Sequence, residues 1–327
     1  MTGAPKVSIG LPVYNGENYL EQSVQSILDQ TFGDFELIIS DNASTDATGE
    51  ICRGFAAEDA RVRYFRQERN LGLALNSNFT FQVARGSYFK WVSHDDLHSP
   101  RFLETCLDAL ERERDAVLAC PRYRLIDEAG NEIAIRREKS GHFWVNREGK
   151  KSPIRPYDPP RRLHSSRASE RFRDLLLKTN WDIEIYGVVR ADALRRTGLH
   201  GTYHGTDKRI LAELTLMGRF VEIPEVMFLY RQHPVQALLY KASTAVRDRY
   251  LGGGGLPSLV PRFQNLLGYA RAVKQSALPA LEKARCYAAI AEWVVRPGRW
   301  PALTLETWRN LRDIVAGHGR RAPARVS

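Results

Sequence analysis

The sequence predicts an α/β protein built on an open, doubly wound and mainly parallel sheet. Short apolar segments, such as KVSIGLPVY at residues 6–14 and FELIIS at residues 35–40, have the continuous hydrophobicity of strands buried on both faces. They alternate with segments in which apolar residues recur every three or four positions, as in amphipathic helices. This alternation implies right-handed crossovers that place helices on the faces of one sheet.

The individual elements follow from the same patterns. The first third predicts strand 6–14, helix 18–30, strand 35–40, a polar turn and helix over 41–55, strand 62–65, helix 76–84 and strand 88–93. Ser99 and Pro100 have the residue types of a helix cap and a first helical position, so we expect the next helix to begin there. The rest of the chain predicts strand 116–133 with a Gly-Asn turn, strand 183–189, helices ending at Gly198 and Gly218, and strands over 220–231.

Two composition changes suggest the domain organisation. Glycines at residues 252–255 mark a hinge, so we predict a main domain at residues 1–250 and a helical, basic extension at residues 256–327. Within the main domain, the basic and proline-rich stretch at about residues 136–167 is predicted to be a mobile loop.

The net charge of +10 is unevenly distributed over the 327 residues. Residues 136–173 and residues 256–327 each hold 12 Lys or Arg against 4 Asp or Glu, so each stretch carries +8 and the remainder carries −6. Such segregation suits an acidic partner, and a solubilising surface is the alternative. Aromatic residues are not interleaved with the charges as they are in nucleic-acid-binding modules, so we expect no nucleic-acid partner.

The cysteines and the hydropathy pattern bear on the compartment. The four cysteines are scattered without a CxxC pair, which argues against a zinc site or a disulfide framework and favours a reducing compartment. We find no basic and apolar leader, and no run of about 18 apolar residues that could span a bilayer. The expected location is therefore cytoplasmic, with peripheral attachment to the inner face of the plasma membrane as a further option.

Polar residues follow three of the predicted strands. In a doubly wound sheet ligands bind beyond the carboxyl ends of the strands, so we expect residues 12–14, 41–46 and 94–96 to meet in one crevice. Asp95 and Asp96 are hard oxygen ligands of the kind that Mg²⁺ and Mn²⁺ prefer. The alternative is that this pair caps the following helix.

Three segments carry a resemblance to a known family. VSIGLPVYNGENYLEQSVQSILDQTFGDFELIISDNASTDAT, NLGLALNSN and ARGSYFKWVSHDD together resemble the family 2 glycosyltransferases of GT-A fold, and the resemblance extends over roughly residues 6–235. It implies an inverting enzyme that takes a sugar from a nucleoside-diphosphate donor, with UDP or dTDP favoured, and uses Mn²⁺ or Mg²⁺.

The resemblance implies a donor site at the strand ends. Its nucleotide-binding residues would be Pro12, Tyr14, Asn15, Asp41, Asn70 and Asp95. Tyr14 would stack on the base, and Asp41 would accept a hydrogen bond from it, as suits the imide N–H of uracil. Asp95 would contact the ribose or act through water, and Asp96 would ligate the metal directly. His94 stands where the family's motif has an acid, which leaves the metal preference open.

The same resemblance implies a catalytic base in the segment HGTDKRILAEL. The family has a Glu-Asp pair there, whereas this chain has Thr206 and Asp207, so Asp207 matches the base. An inverting transfer needs one carboxylate to take the proton of the acceptor hydroxyl as that oxygen attacks the anomeric carbon. The alternative is an ordinary acid at a helix start. His204 lies nearby in the sequence, and the sequence assigns it no role.

The resemblance also implies further contacts with the metal, the donor or the acceptor. The segment YRQHP resembles the family's Tyr-Arg-x-His segment, which implies that His233 contacts the metal or diphosphate and Arg231 the phosphates. Asp46, His94 and Glu184 are further candidates for donor or acceptor contacts. For Asp46 the alternative is an acid that favours a helix start, and for Glu184 a solvated strand position.

The extension combines apolar, aromatic and basic residues. A helical face predicted to pack on the domain, or to form an oligomer contact, contains Leu281, Ala284, Ala288, Ala291, Val294 and Val295. Trp293, Trp300 and Trp308 lie among arginines, a blend that also suits an anionic membrane surface.

Other functional classes lack their sequence signals. A nicotinamide-dependent dehydrogenase would need GxGxxG after the first strand, and a nucleotidyltransferase a glycine-rich phosphate loop; PVYNGENY is neither. A protein that binds a sugar nucleotide without turning it over, or a non-catalytic binder of anionic partners, stays an alternative. By analogy with the family, the expected acceptor is a cell-envelope glycan, glycolipid or polysaccharide unit.

Overall fold

The computed structural model describes residues 3–139, 141–145, 149, 151–154, 156–232, 261–296 and 308. Its strands are β1 Val7–Val13, β2 Phe35–Asp41, β3 Val62–Arg66, β4 Tyr88–Trp91, β5 Leu97–His98, β6 Ala116–Ile126, β7 Ile135–Glu138, β8 Gly141–Val145, β9 Lys151–Pro153, β10 Val188–Arg190 and β11 Arg219–Arg231. Its helices are α1 Leu20–Leu28, α2 Thr48–Glu58, α3 Leu73–Gln82, α4 Phe102–Arg112, α5 Ala168–Lys178, α6 Ala191–Arg195, α7 Thr206–Thr215, α8 Pro261–Gln275 and α9 Ala280–Val295, with a 3-10 helix at Ile183–Tyr186.

The main sheet has eight strands in the order β3-β2-β1-β4-β10-β6-β11-β5. Strands β1 to β4 are parallel, and β10 is antiparallel to both β4 and β6. Because β11 is parallel to β6, the strands β1, β2, β4, β6 and β11 all end at the same edge of the sheet. The predicted doubly wound, mainly parallel sheet is therefore confirmed, and its strand ends lie where the candidate residues were expected.

The central strands are buried on both faces. Every residue of β2 is buried, and all of β1 is buried except the half-buried Pro12. Helices α1 and α4 cover the sheet with their apolar faces, as their three- and four-residue spacing predicts. Helix α3 instead buries a mixed set of small, polar and aromatic side chains, namely Ala74, Asn76, Ser77, Thr80 and Phe81. This rigid centre fixes the positions of the loops that follow β1, β2 and β4.

Two local predictions need correction. Helix α4 begins at Phe102, and Ser99 contributes its carbonyl oxygen to the Phe102 amide rather than a side-chain cap. Residues 183–189 were expected to form one strand, but the chain forms a 3-10 helix and then the short strand β10. Between them, a Cβ on Gly187 would lie 2.6 Å from the Ala119 carbonyl oxygen, so this close approach requires glycine.

The basic stretch contains secondary structure that the sequence did not suggest. Strands β7, β8 and β9 form a separate three-stranded antiparallel sheet. Beyond it, Arg161 forms ion pairs with Asp158 at 3.0 Å and with Glu184, and Arg162 pairs with Asp174 at 3.0 Å. Part of the basic charge therefore stabilises the contact between this stretch and the rest of the main domain.

The described part of the extension packs on the main domain. Helix α8 packs against α7, and α9 packs against α5, where Glu292 pairs with Arg173 at 2.8 Å. The face of α9 that makes this contact is not the predicted one. Cys286, Ala289, Ile290 and Trp293 are buried, whereas Leu281, Ala288 and Val295 on the predicted face are exposed. The hinge at 252–255 and Trp300 lie outside the described residues.

Two further predictions can be compared with the structure. All four cysteines are buried free thiols, which confirms that they form no disulfide framework. Over the part of the chain that the structure describes, no helix has both the length and the apolar character needed to cross a bilayer.

Candidate active site

The end of β1 presents an aromatic ring beside a fixed polar loop. Tyr14 is 40% exposed, as a ring available for stacking would be. Asn15 adopts a left-handed backbone conformation with φ of 51°, and its side-chain oxygen accepts a hydrogen bond from the Thr45 amide at 2.9 Å. Its own amide donates to Ser44 Oγ at 3.0 Å. Asn15 therefore joins the loops after β1 and β2, next to the half-buried Pro12 and the exposed Tyr14.

Asp41, at the end of β2, is fully buried and already bonded. Its Oδ1 accepts the Ser44 amide at 2.8 Å, and its Oδ2 accepts the Tyr64 hydroxyl at 2.9 Å and pairs with Arg66. Burial alone would raise the pKa of Asp41, but the hydrogen bonds from Ser44 and Tyr64 and the charge of Arg66 lower it. The carboxylate is thus ionised. To contact a nucleobase, it would have to exchange its bond to Ser44, Tyr64 or Arg66 for a bond to the base.

Asp46 and Asn70 hold the loops together. Asp46 accepts hydrogen bonds from the Thr48 amide at 3.1 Å and the Glu17 amide at 3.3 Å. Since Thr48 is the first residue of α2, the structure favours the alternative that Asp46 is an acid at a helix start. Asn70 Oδ1 accepts Asn42 Nδ2 at 2.9 Å and also the Gly72 amide at 2.8 Å. Both side chains therefore hold the loops at the ends of the strands in place.

The acidic pair follows β4, as predicted. Asp95 accepts a hydrogen bond from Ser93 Oγ, and Asp96 Oδ1 accepts the Arg231 amide at 2.9 Å. Asp96 Oδ2 is buried and has no hydrogen-bond partner among the described residues. Burial, together with the negative charge of Asp95, raises the pKa of Asp96 well above its usual value. His94 packs against the β1 loop, since a Cβ on Gly16 would lie 2.7 Å from its ring.

These carboxylates suit a divalent cation, although the predicted ligand set is only partly described. Two adjacent carboxylates, one with an unpartnered buried oxygen, form a hard oxygen donor set that a cation would neutralise. Within the described ranges, no group of three or more His, Cys, Asp and Glu side chains could hold a metal ion. The predicted ligand His233 lies outside the described residues.

Arg231, which was predicted to contact the phosphates, is bonded to backbone carbonyl oxygens of the protein. Its side chain is buried, and it donates to the carbonyl oxygens of Asp95 at 2.7 Å, Asp127 at 3.1 Å and Glu128 at 2.9 Å. It also donates to Gln22 Oε1 at 3.2 Å. The guanidinium therefore ties together the loops at the ends of β4 and β6, and phosphates would have to compete with these carbonyl oxygens for it.

Glu184 is neither solvated nor in a strand. It lies in the 3-10 helix, is buried, and pairs with Arg161 through Oε1. Its Oε2 is buried without a hydrogen-bond partner among the described residues. Because the charge of Glu184 is largely balanced by Arg161, the structure supports a structural contact for this carboxylate.

Asp207 combines exposure with ionisation. It is the second residue of α7, and its side chain is 52% exposed. Its Oδ1 lies 3.1 Å from His200 Nδ1. Partial removal from water would raise the pKa of Asp207, but the hydrogen bond from His200 and the charges of His200 and His204 lower it below its usual value. A carboxylate of this kind can accept a proton from a bound hydroxyl.

Asp207 is connected to the strand ends through His200. The His200 ring packs edge-on against Trp91, the last residue of β4, with ring centroids 4.6 Å apart. Asn78 of α3 donates to the His200 carbonyl oxygen at 2.8 Å and accepts its amide at 3.0 Å. The proposed base therefore stands beside the same sheet edge as the donor-site candidates.

Comparison with known proteins agrees with this arrangement. The family model described as glycosyl transferase family 2 matches residues 8–181, more than half of the chain. This chain belongs to glycosyl transferase family 2. The match includes the ends of β1, β2 and β4, whereas Asp207 lies beyond it.

Curated relatives match less than half of the chain. Glycosyltransferase GlyG of Streptococcus pneumoniae is 37% identical over 123 residues, which are 38% of this chain and 40% of GlyG. Chondroitin synthase of Escherichia coli is 38% identical over 142 residues, 43% of this chain and 20% of that protein. The matched region thus spans well under half the length of these relatives.

Solved structures share the fold over nearly the whole chain. Staphylococcus aureus TarS 1–349 in complex with UDP-GlcNAc has a TM-score of 0.60 at 14% identity, with 95% of this chain and 80% of that one covered. Mannosyltransferase PcManGT of Pyrobaculum calidifontis, in complex with GDP-Man and Mn²⁺, has a TM-score of 0.51 at 15% identity, covering 96% and 88%. The predicted GT-A fold of this glycosyltransferase is confirmed.

Several residues of the site could not be found from its sequence. Asn265 of α8 donates to the His204 carbonyl oxygen at 2.8 Å, and Arg209 of α7 donates to the Tyr203 hydroxyl at 2.8 Å. Together with Asn78 they hold residues 198–205, which we call the His200 loop. No local pattern marks Asn78 or Asn265, because their partners lie 122 and 61 residues away in the chain.

Proposed function

We propose that this glycosyltransferase transfers a sugar, with inversion, from a nucleoside-diphosphate donor to a hydroxyl acceptor, and that Asp207 is the general base. The observation that carries the proposal is the position of Asp207: an exposed, ionised carboxylate beside the sheet edge that holds Tyr14 and Asp95. The family membership supplies the reaction class, and the geometry supports the assignment of the base.

The proposed reaction is a single displacement. The free oxygen of Asp207 takes the proton of the acceptor hydroxyl while the hydroxyl oxygen forms a bond to the anomeric carbon. The bond from that carbon to the diphosphate oxygen breaks, and its electron pair leaves with the diphosphate. One carboxylate on the acceptor side is sufficient for this reaction, and attack opposite the leaving group inverts the anomeric centre.

The proposed donor site lies at the ends of β1, β2 and β4. The exposed ring of Tyr14 supports base stacking, and we assign contacts beyond the base to Asp95, which follows β4. A uridine or thymidine diphosphate sugar is the donor we favour, and the complex of TarS with UDP-GlcNAc supports the uridine option by similarity of fold. Asp41 would contribute either directly, through exchange with Arg66, or by shaping the pocket.

We further propose that the enzyme uses Mn²⁺ or Mg²⁺. Asp95 and Asp96 would hold the cation, with His233 as a candidate ligand, and the Mn²⁺ complex of PcManGT supports this by similarity. When bound, the cation would supply positive charge for the leaving diphosphate. Arg231 would stabilise this site indirectly, because it fixes the backbone carbonyl of Asp95.

The acceptor and the cellular setting are proposals that rest on charge and analogy. The basic stretches at residues 136–173 and 256–327 support an anionic acceptor, such as a cell-envelope glycan, a glycolipid or a polysaccharide unit. They also support peripheral binding to an anionic membrane surface from the cytoplasmic side. A homo-oligomer is a further proposal, for which the exposed face of α9 offers an apolar surface.

Calorimetric titration tests the donor proposal. UDP, GDP and dTDP are titrated into the wild-type protein and the Asp95→Asn variant, with Mn²⁺ and with chelator; Asp108→Asn, an exposed Asp on α4, is the matched control. We expect one nucleotide to bind in a metal-dependent manner, and we expect Asp95→Asn alone to lose that binding. The absence of binding by every nucleotide would contradict the proposal, and binding without donor turnover would indicate a sugar-nucleotide sensor instead.

A further inference from the structure

His200 lies directly behind the proposed base. We propose that His200 is a positioning residue that holds the Asp207 carboxylate in one orientation, with its second oxygen directed to the acceptor hydroxyl. This inference rests on the proposed function of Asp207. The geometry that supports it is the 3.1 Å contact between His200 Nδ1 and Asp207 Oδ1, in a loop that no local sequence pattern singled out.

The order of burial separates the roles of the two side chains. The Asp207 side chain is 52% exposed, that of His200 is 10% exposed, and Trp91 behind it is buried. An acceptor can therefore reach the carboxylate but not the imidazole, so His200 does not itself accept the proton. An ionised carboxylate only accepts hydrogen bonds, which places the shared proton on His200 Nδ1.

The position of His200 is fixed from two directions. Asn78 holds the backbone of His200 with hydrogen bonds of 2.8 and 3.0 Å, one to its carbonyl oxygen and one from its amide. The edge of the ring packs against Trp91 at an interplanar angle of 66°, and the Trp91 indole is itself held by the Ser77 carbonyl oxygen at 3.0 Å. A fixed donor of this kind limits the rotation of Asp207, as catalysis by a pre-organised group requires.

His200 also favours the ionised form of the base. Of the charged groups around Asp207, His200 and His204 lower its pKa. The other charged groups on the neighbouring elements bond to different partners. Lys208 donates to the Thr179 carbonyl oxygen, Arg209 donates to the Tyr203 hydroxyl, and Glu213 accepts a hydrogen bond from the Gly198 amide. The partners of Asp95, Asp96 and Glu184 are those described above. Because the hydrogen bond from His200 lowers the pKa of Asp207, loss of this donor should raise that pKa.

Two variants separate the hydrogen bond from the packing of the ring. His200→Phe keeps an aromatic ring against Trp91 but loses the N–H donor. His200→Asn loses the ring but places an amide N–H near the position of Nδ1, and both variants keep the backbone contacts to Asn78. We would label the Asp carboxyl carbons with ¹³C, assign Asp207 with Asp207→Asn, and titrate each protein by NMR.

We expect the Asp207 carboxyl of the wild-type protein to titrate below the usual Asp value. The midpoint should rise by about one pH unit in His200→Phe and stay within about 0.3 unit of wild type in His200→Asn. An unchanged midpoint in His200→Phe would overturn the proposal, as would equal shifts in both variants.

A kinetic measurement distinguishes failure of this inference from failure of the proposed function. With UDP-GlcNAc and Mn²⁺ as the probe, donor hydrolysis should show a lower kcat with unchanged KM in His200→Phe, and its acid limb should move to higher pH. Full turnover by Asp207→Asn would refute the base assignment even if the NMR shift is found. Loss of turnover in Asp207→Asn without any NMR shift in His200→Phe would refute only the positioning role.

Discussion

The two regions of the site are held together in different ways. In the loops after β1 and β2, residues bond to partners close in sequence: Asn15 bonds to Ser44, 29 residues away, and Asp41 bonds to Ser44, three residues away. The His200 loop depends on contacts over longer separations, with Asn78 122 residues away and Asn265 61 residues from His204. The loops after β1 and β2 are thus encoded in a nearly continuous segment, whereas these contacts of the His200 loop exist only once the tertiary structure has formed.

The largest expected effect separates the regions by function. Asp207→Asn should lower turnover by about 100- to 10,000-fold, because the variant keeps the shape of the side chain but cannot accept a proton. Donor affinity should stay unchanged, since the donor edge belongs to the other region. The measurements are steady-state kinetics and calorimetric titration on the same protein.

A matched control is available for Asp207→Asn. Asp192 is the exposed second residue of α6, as Asp207 is of α7. Asp192→Asn should retain wild-type turnover, and an equal loss in both variants would show that the effect is not specific to the site.

Arg231 tests whether the donor edge needs the guanidinium for structure or for phosphate binding. Arg231→Met leaves three backbone carbonyl oxygens without a donor, so the free energy of unfolding should fall by about 3 kcal/mol. Urea unfolding measures this change. Arg122→Met, which removes an exposed ion pair on β6, should change it by less than about 1 kcal/mol. Normal stability with weakened nucleotide binding would instead place Arg231 on the phosphates.

Asp174 tests how the basic stretch is held, through the pH dependence of stability. Burial raises the pKa of Asp174, but hydrogen bonds from Arg162 and Lys178 outweigh it and lower the pKa to about 2. Because the pKa is depressed from 3.8 in the unfolded chain, the stabilisation is complete above about pH 4 and is lost as the pH falls towards 2. Asp174→Asn should therefore cost about 2 kcal/mol at pH 7, and progressively less below pH 4.

Urea unfolding of the wild-type protein and Asp174→Asn at a series of pH values measures this difference. Asp108→Asn provides the exposed control, for which we expect no such trend. A stability difference for Asp174→Asn that stayed constant from pH 7 to pH 3 would contradict the assignment.

The smallest expected effect concerns the helix that supports the His200 loop. Asn265→Ala removes the hydrogen bond to the His204 carbonyl oxygen, so stability should fall by about 1 kcal/mol and turnover should fall with it. Gln275→Ala, at the exposed end of the same helix, should change neither quantity. If Asn265→Ala leaves turnover intact, the extension is not needed for the geometry of the base.

The contrast also explains what could be predicted from sequence. The buried strands were predictable because both of their faces are apolar, and the loops after β1, β2 and β4 because parallel strands end at one edge. The packing face of α9 was predicted wrongly, since alanines and valines lie on more than one side of that helix and the sequence does not say which side meets α5.

The partners of the site residues could not be predicted from the sequence, for one physical reason. A polar residue type indicates what a side chain can bond to, but not which partner it meets in the folded protein. Arg231 could bind phosphate, yet three carbonyl oxygens at the strand ends occupy it, and Glu184 could bind a sugar, yet it pairs with Arg161. His200 was missed for the same reason, because Trp91 and Asn78 are distant in sequence.

The stereochemistry of transfer tests the central claim most directly. Proton NMR can identify the anomer first formed when the protein turns over an α-linked donor such as UDP-GlcNAc with Mn²⁺, before mutarotation. A single displacement assisted by Asp207 predicts the β anomer as the first product, and Asp207→Asn should form it only slowly. An α anomer as the first product would contradict the account, because retention cannot arise from one carboxylate acting as a base in a single displacement.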